Sequence, residues 1–297
     1  MTVLLPAGYE DAARERKIVP FVGAGFSKNI SPHMPNWREV MDVVAKVLGY
    51  DPDVLALHGD YLQIAQYLKI RGKEGVVYSD LQNLFHLPTM SVSASRPHRL
   101  LPYIDAPAIF TTNWDYWIAR SFEHEGVPYI KIVSPRDFYD REVVTPPTST
   151  TTPPLYDSSR RALILRAYPA TNIVKFHGDF TDHQSVVFTE DKYFDRMAFE
   201  DPLDLFLRSE ILGRSVLFVG YSFTDRNIRF IWHRLRKIMA SVPDRAKRHS
   251  YLITSGASSV QHEIMQQLGI QLIQVSPGAV SDGVSEVLEK TVEWQEA

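Results

Sequence analysis

The sequence contains no cysteine, and that absence excludes several chemistries at once. A chain without cysteine forms no disulfide, has no thiolate nucleophile and cannot build a cysteine-ligated zinc site. An excess of one charge is missing too, because 32 basic and 35 acidic side chains leave a formal net charge of −3. We therefore expect no general affinity for nucleic acid or anionic membranes, so any such contact would be local.

Long apolar runs are also absent. No uninterrupted apolar stretch reaches the ~20 residues that span a bilayer, and the first residues lack the basic and apolar regions of a signal peptide. We therefore expect a cytoplasmic protein that makes no membrane contact. The ten histidines show no His-Glu-x-x-His or similar ligand spacing, so the sequence predicts no metal site.

Apolar side chains make up 44% of the 297 residues, which is enough to fill the core of one large α/β domain or of two smaller ones. Short runs rich in β-branched and aromatic residues alternate with helical patterns. The sequence predicts strands at 18–22, 108–112, 173–179, 215–222, 251–254 and 271–275. This alternation is typical of a doubly wound, mostly parallel, Rossmann-like sheet.

Residues 31–97 are predicted to form an inserted helical module, because helical patterns fill this stretch and no convincing strand interrupts it. The stretch is longer than a plain βαβ crossover requires. The sheet domain would then comprise residues 1–30 and 98–297. Within that domain, residues 134–170 contain a low-complexity proline and threonine run, so we expect a flexible, exposed insertion there.

A candidate phosphate-binding turn, Gly23-Ala24-Gly25-Phe26-Ser27, follows the first predicted strand. Glycine at positions 23 and 25 would let the chain take φ > 0 and approach a pyrophosphate, whose charge the following N–H groups would neutralise. Lys28 stands where the dinucleotide-binding fingerprint has its third glycine. A tight turn without a ligand is therefore the alternative interpretation.

Polar residues also follow three of the later strands. These segments are Thr111-Thr112-Asn113-Trp114-Asp115, Phe176-His177-Gly178-Asp179 and Gly220-Tyr221-Ser222. Open α/β sheets bind their ligands at the carboxyl ends of the strands, so all four segments are candidates for one site.

The four segments, in this order, resemble the sirtuin family. Sirtuins carry Gly-Ala-Gly-x-Ser, Thr-Gln-Asn-x-Asp, His-Gly and Gly-x-Ser, and this chain has each of them with Thr112 in place of the glutamine. The resemblance covers roughly residues 18–27, 98–118 and 170–275. Sirtuin deacylases normally carry a four-cysteine zinc ribbon, which this chain cannot build, so the resemblance does not extend to the peptide-binding module.

Residues 217–228 are more similar to the divergent sirtuin-like domains of bacterial defence systems. That resemblance implies an NAD glycohydrolase that cleaves NAD to nicotinamide and ADP-ribose, with NAD as substrate and without a metal. It implies a toxic effector of anti-phage defence, acting through abortive infection and activated in an assembly. We expect a homo-oligomer, with a partner ATPase or a nucleic-acid-guided protein as possible docking partners by analogy.

The resemblance also implies roles for three catalytic candidates, each with a structural alternative. Asn113 would orient the ribose or the attacking water, or it would cap the next helix. His177 would accept a proton from a ribose hydroxyl or from water, or it would be a structural histidine. Asp115 would position the nicotinamide carboxamide, or it would serve as a helix cap.

The remaining candidates would bind NAD. Ser27 and the amides of Ala24 to Ser27 would hold the pyrophosphate, and Gly220 and Ser222 would lie against the adenosine half. Thr111 is counted with them because it precedes Asn113 at the same strand end. Trp37 would close over the nicotinamide, or it would be an apolar anchor for the helical module.

Three further interpretations stay open. The protein could transfer the ADP-ribosyl group, as a deacylase or ADP-ribosyltransferase does, or it could bind NAD or ADP-ribose without catalysis. Residues 226–249 are rich in basic side chains, which indicates either a solvated helix face or a contact surface for a nucleic acid or a protein.

Overall fold

The computed structural model describes residues 3–57, 60–147, 152–198, 200–221, 223, 226–239 and 248–297. Seven strands form one sheet: β1 (Ile18–Val22), β2 (Ala108–Thr111), β3 (Tyr129–Ile132), β4 (Thr171–Lys175), β5 (Ser215–Val219), β6 (Ser250–Thr254) and β7 (Ile270–Gln274). Their order across the sheet is β3-β4-β2-β1-β5-β6-β7, and every neighbouring pair is parallel. The predicted doubly wound, Rossmann-like α/β fold is therefore confirmed.

Helices connect the strands and cover both faces of the sheet. They are α1 (Tyr9–Arg14), α2 (Ala24–Ser27), α3 (Trp37–Leu48), α4 (Pro52–Ala56), α5 (Tyr61–Ile70), α6 (Glu74–Phe85), α7 (Arg96–Leu100), α8 (Trp117–Glu125), α9 (Ser158–Ile164), α10 (Glu190–Met197), α11 (Pro202–Ile211), α12 (Arg226–Met239), α13 (Ser259–Gln267) and α14 (Val280–Glu296). None of these described helices is both long and apolar enough to cross a bilayer.

Two core layers sandwich the sheet because successive side chains of a strand point to opposite faces. In β1, Ile18 and Val22 belong to the layer formed with α1, α7, α8, α9 and α14. Val19 and Phe21 belong to the opposite layer, formed with α11, α12 and α13. All five residues of β1 are buried, as expected for a strand in the middle of a parallel sheet.

Helices α3 to α6, the helical block, lie between β1 and β2 in the chain and share an apolar core of their own. The first of them begins at Trp37 because the Asn36 side chain accepts hydrogen bonds from the Arg38 and Glu39 amides, and the Glu39 carboxylate accepts one from the Asn36 amide. Trp114 and Phe188 pack into this core from the sheet side. That the stretch 31–97 is an inserted module remains a prediction.

The elements that were not anticipated from the sequence include β3, α7, α9 and α14. Residues 134–170 also differ from the expected exposed insertion, because Tyr156 and Ile164 are buried in the core. The Leu155 amide donates a hydrogen bond to the buried Glu125 carboxylate, which fixes this end of the segment. The expectation of exposure is therefore wrong for these residues, and residues 148–151 lie outside the described part of the chain.

The exposed face of α12 carries Arg229, Arg234, Arg236 and Lys237, while Ile231 and Leu235 pack inward. This amphipathic pattern is compatible with both interpretations of the basic stretch, a solvated helix face and a contact surface. Residues 240–247 of the basic stretch lie outside the described residues.

A buried ion pair between Arg16 and Asp105 lies where residues near the start and the end of the chain meet. The Arg16 guanidinium contacts the Asp105 carboxylate and the backbone carbonyls of Ile164 and Gln295. Gln295 in turn accepts a hydrogen bond from the Asp105 amide at 2.9 Å. Asp105 has 1% of its side chain exposed, so removing its charge leaves the guanidinium without its ionic partner in a poorly solvated place.

We predict that Asp105→Asn lowers the free energy of unfolding by about 3 kcal/mol, because it breaks a buried ion pair. The matched control is Asp53→Asn, which breaks an ion pair to Arg38 that is largely exposed to solvent. That change should cost less than about 1 kcal/mol. Urea unfolding of both variants tests this, and equal losses would contradict it.

Candidate active site

A cavity of about 570 Å³ opens at the carboxyl ends of β1, β2, β4 and β5. The chain leaves β1 to one side for β2 and later returns to its other side for β5, so the cavity lies at the topological switch point of the sheet. The residues that line it include eight candidates from the sequence: Ala24, Gly25, Phe26, Trp37, Asn113, Asp115, His177 and Gly220. Three separate strand ends and the glycine turn therefore meet at one place.

The glycine turn (Gly23–Ser27) packs directly on the end of β5. A Cβ added to Gly23 would lie 2.6 Å from the Gly220 carbonyl oxygen, and one added to Gly25 would lie 2.9 Å from it. Gly220 itself has φ +71°, and a Cβ there would lie 2.2 Å from the Phe26 nitrogen. Glycine is thus required at all three positions because the two backbone segments are in direct contact.

The expected φ > 0 at the glycine turn is wrong. Gly23 is extended, with φ −108° and ψ 176°, and Gly25 lies within α2. Three amides of the turn are already engaged. Gly23 N–H donates to Val219 O at 2.8 Å, and Gly25 N–H donates to Gly220 O and Phe26 N–H to Gly23 O, both at 3.0 Å. Of the amides proposed to hold a pyrophosphate, only those of Ala24 and Ser27 are left for that role.

Asn113 joins the end of β2 to the glycine turn. Its Nδ2 donates to Gly23 O and to Ser27 Oγ, each at 3.1 Å, and Ser27 Oγ donates to Asp115 Oδ2 at 2.7 Å. Thr111 Oγ1 accepts from the Asn113 amide at 3.0 Å and so fixes the residue's backbone. Gly23, Ser27 and Thr111 therefore support the site from behind the cavity wall.

The other amide atom of Asn113, Oδ1, is buried and has no hydrogen-bond partner among the residues that the structure describes. Leaving a buried acceptor unpaired is costly, so the position calls for a donor. Because Asn113 lines the cavity, a hydroxyl group or a water molecule there could supply that donor. The side chain thus bonds to the glycine turn, which the helix-cap interpretation did not anticipate.

Both carboxylate oxygens of Asp115 accept hydrogen bonds from other parts of the protein. Its Oδ1 accepts from the amide of Trp117, the first residue of α8, at 3.1 Å, and its Oδ2 accepts from Ser27. Asp115 thus binds the first amide of α8 in the manner of a helix cap, although the N-cap position itself is Tyr116. The residue also lines the cavity, so a ligand contact remains compatible with the cap.

His177 follows β4 and is 5% exposed, with its ring centroid 5.5 Å from that of Tyr193. The chain turns sharply after it, because Gly178 has φ +71° and a Cβ there would lie 2.2 Å from the Ser185 carbonyl oxygen. This turn places the imidazole at the cavity wall on the side of β4.

Trp37 begins α3 and belongs to both the cavity wall and an aromatic cluster. Its ring lies parallel to those of Tyr61 and Phe188, at centroid distances of 6.4 and 6.1 Å, and edge-on to Trp114 at 5.6 Å. The apolar-anchor interpretation describes these contacts. The side chain is nevertheless 42% exposed, so a ligand face is also available.

Sequence reasoning missed several polar residues of the cavity wall: Lys28, Asn29, Tyr193, Tyr221, Thr254, Ser255 and Gln261. Thr254 ends β6, so the strand-end argument used for the other segments would have found it. Ser222, a proposed adenosine contact, lies outside the described residues. Within the described residues, no group of three or more histidine, aspartate or glutamate side chains is arranged to hold a metal ion.

A seven-stranded parallel sheet with a glycine turn after its central strand and a ligand cavity at the switch point defines a Rossmann-like nucleotide-binding class. The family model of the SIR2-like domain matches residues 107–273, and the chain belongs to that family.

Curated relatives match most of the chain. It is 25% identical over 241 residues to the NAD(+) hydrolase ThsA of Bacillus cereus (strain MSX-D12), which covers 80% of this chain and 43% of that protein. It is 27% identical over 237 residues to the NAD(+) hydrolase ThsA of Enterococcus faecium, covering 78% and 42%. The Defense-associated sirtuin 2 of Bacillus subtilis is 22% identical over 279 residues, covering 90% and 24%. The chain spans less than half the length of these relatives.

Beneath the glycine turn lies His98, whose ring centroid is 4.2 Å from that of Phe26. Its Nδ1 is 2.8 Å from Ser95 Oγ, and burial lowers the pKa of the imidazole to about 3. The folded protein therefore holds His98 neutral, whereas the unfolded chain protonates it below its ordinary pKa of about 6.5. Stability from this group is present above pH 6.5 and is lost as the pH falls.

We predict that wild-type protein loses up to about 1.4 kcal/mol of unfolding free energy per pH unit below pH 6.5 through His98 alone. His98→Gln should remove that part of the pH dependence. Urea unfolding of both proteins between pH 7.5 and 5 measures the difference in slope. Parallel slopes would mean that His98 is protonated in the folded state.

Proposed function

We propose that this protein is an NAD glycohydrolase that cleaves NAD to nicotinamide and ADP-ribose. One observation carries the proposal: the side chains of Asn113 and His177 line the same cavity beside a glycine turn, and Asn113 Oδ1 is a buried acceptor without a hydrogen-bond partner among the described residues. The names of the relatives, NAD(+) hydrolase and Defense-associated sirtuin, support the substrate. A volume of about 570 Å³ is within the range of cofactor-sized pockets.

The reaction needs few groups. The bond between ribose C1′ and the nicotinamide nitrogen breaks, its electron pair neutralises the pyridinium ring, and an oxocarbenium-like centre develops at C1′. The oxygen of a water molecule then bonds to C1′ and releases one proton. A positioned ribose, an oriented water and a proton acceptor are therefore sufficient, and no covalent nucleophile is required.

The residues present fit those needs. Asn113 Oδ1 would accept a hydrogen bond from the ribose or from the attacking water, and His177 would accept the released proton. Asp115 would hold Ser27 and the start of α8 in place and contact the nicotinamide carboxamide. Trp37 would cover the nicotinamide ring with its exposed face.

The pyrophosphate would lie at the glycine turn. The amides of Ala24 and Ser27 would face it, and Lys28, which is exposed at the cavity wall, would balance its charge. Gly220 and the neighbouring Ser222 would lie against the adenosine half. These assignments rest on the resemblance to sirtuins, and Ala24, Lys28 and Gly220 also line the cavity.

We predict that Asn113→Ala and His177→Ala each lower the rate of NAD cleavage by about 10² to 10⁴, because each removes a group that acts on the reacting atoms. The matched controls are Asn83→Ala and His233→Ala, which truncate exposed side chains on α6 and α12 and should retain the wild-type rate. Chromatography of the products after incubation with NAD measures all five proteins.

Two other outcomes would change the assignment. Acyl-ADP-ribose that forms only when an acyl-lysine peptide is added would indicate a deacylase. If no NAD is consumed, calorimetry with NAD becomes decisive. Binding without cleavage would indicate a silent enzyme or a binding module, and no binding would contradict the whole proposal.

We further propose that the activity serves as a toxic effector in anti-phage defence and is switched on in an assembly. Loss of NAD harms the cell that makes the enzyme, so the activity must be controlled. A homo-oligomer, alone or docked on an ATPase or a nucleic-acid-guided protein, would provide that control. Light scattering of the protein alone and with such partners tests this, and a monomer under all conditions would contradict it.

A further inference from the structure

Lys175, the last residue of β4, buries its ammonium group behind the cavity wall. Its side chain is 4% exposed. The ammonium donates hydrogen bonds to the carbonyl oxygens of Trp114 at 3.2 Å and Asp115 at 2.5 Å, and it lies 3.3 Å from the Asp179 carboxylate. The ammonium therefore uses two of its three donors on backbone carbonyls and pairs with the Asp179 carboxylate through its charge.

Such a charge is expensive to bury. Burial lowers the pKa of Lys175, and the negative charges of Asp179 and Asp115 oppose that shift. Replacing a buried ion pair with apolar side chains is often neutral or stabilising, so fold stability alone is a weak reason for a lysine here. We therefore attribute the presence of a lysine at this position to the backbone carbonyl groups that its ammonium binds.

The two carbonyl groups belong to residues 113–115, which we call the Asn113 turn. The side chains of Asn113 and Asp115 reach forward from this turn to Ser27 and the glycine turn. The Lys175 ammonium donates hydrogen bonds to the backbone of the same turn from the opposite side. The Asn113 turn is thus fixed between the glycine turn in front and one ammonium behind.

We propose that Lys175 is a positioning residue, which sets the Asn113 turn and through it the orientation of the Asn113 amide at the cavity wall. The proposal rests on the proposed function for its kinetic consequence, but its structural part stands independently. The ammonium touches no reacting atom. It acts through the two backbone carbonyls.

Lys131 provides a matched control. It lies 3.4 Å from the same Asp179 carboxylate, but its hydrogen bond goes to Thr181 Oγ1 at 2.9 Å, and its side chain is 33% exposed. Loss of Lys131 therefore removes a charge from Asp179 and leaves the bonds from Lys175 to the Asn113 turn in place. An effect that passes through Asp179 would be shared by both lysines.

The kinetic test compares the rate of NAD cleavage by Lys175→Met and Lys131→Met. It is run well below the unfolding temperature, and each rate is divided by the concentration of sites that bind NAD. For Lys175→Met we expect kcat to fall by about 10- to 100-fold, because a small misplacement of a reacting group has that effect. The Kd for NAD should change less, since the glycine turn is intact. A kcat within about twofold of wild type, or an equal loss in Lys131→Met, would overturn the proposal.

A chemical rescue separates positioning from damage to the fold. The chain has no cysteine, so Lys175→Cys places a single thiol that bromoethylamine converts into a side chain ending in an ammonium. Aminoethylation in denaturant followed by refolding should restore most of the lost kcat. A refolded, NAD-binding product that stays as slow as the cysteine form would contradict the role of the ammonium.

Fluorine NMR of protein labelled with 5-fluorotryptophan tests the structural part without turnover. The resonance of Trp114, assigned with Trp114→Phe, should shift in Lys175→Cys, return after aminoethylation and stay unchanged in Lys131→Met. If wild-type protein neither cleaves nor binds NAD, the proposed function fails but this readout still decides. An unmoved Trp114 resonance in Lys175→Cys would overturn the inference.

Discussion

The site depends on one contact, in which the backbone of the glycine turn lies against the backbone of Gly220. No side chain fits between them, since a Cβ on any of the three glycines would come within 3 Å of the opposing chain. The contact carries the chain from β1 across the end of β5, so the turn lies over the switch point of the sheet. This placement brings the Gly23 carbonyl oxygen within hydrogen-bond distance of Asn113 Nδ2.

From that contact the hydrogen bonds extend across three strands. Asn113 and Asp115, which follow β2, both form hydrogen bonds with Ser27. Lys175, at the end of β4, donates a hydrogen bond to the backbone of the same turn from the other side. Each strand end is therefore positioned by its neighbour as well as by its own strand. The geometry around Asn113 is a property of the assembled sheet edge.

Much of this could be predicted from the sequence, because a buried parallel strand is a short apolar run and its carboxyl end is where polar residues gather. The glycine turn shows the limit of that approach. A glycine in a sequence says that a Cβ is unwanted, but not whether the cause is a positive φ or a close neighbour. At Gly23 it is the neighbour, which lies almost 200 residues further along the chain.

Other misses have similar causes. Strand β3 is only four residues long and lies at the sheet edge, where the apolar signal is weak. Lys175 sits in an apolar strand pattern in which a lysine suggests an exposed position. Its burial depends on Asp179 and on carbonyls about 60 residues away. Which residues meet across the sheet is information that no local pattern contains.

Trp37 links the cavity to the helical block in a way that reaches beyond either one. The indole is part of the cavity wall and at the same time the first residue of α3, held among the rings of Tyr61, Phe188 and Trp114. The width of the cavity is therefore set by how the block sits on the sheet. A tilt of α3 would open or narrow the cavity while every strand kept its position.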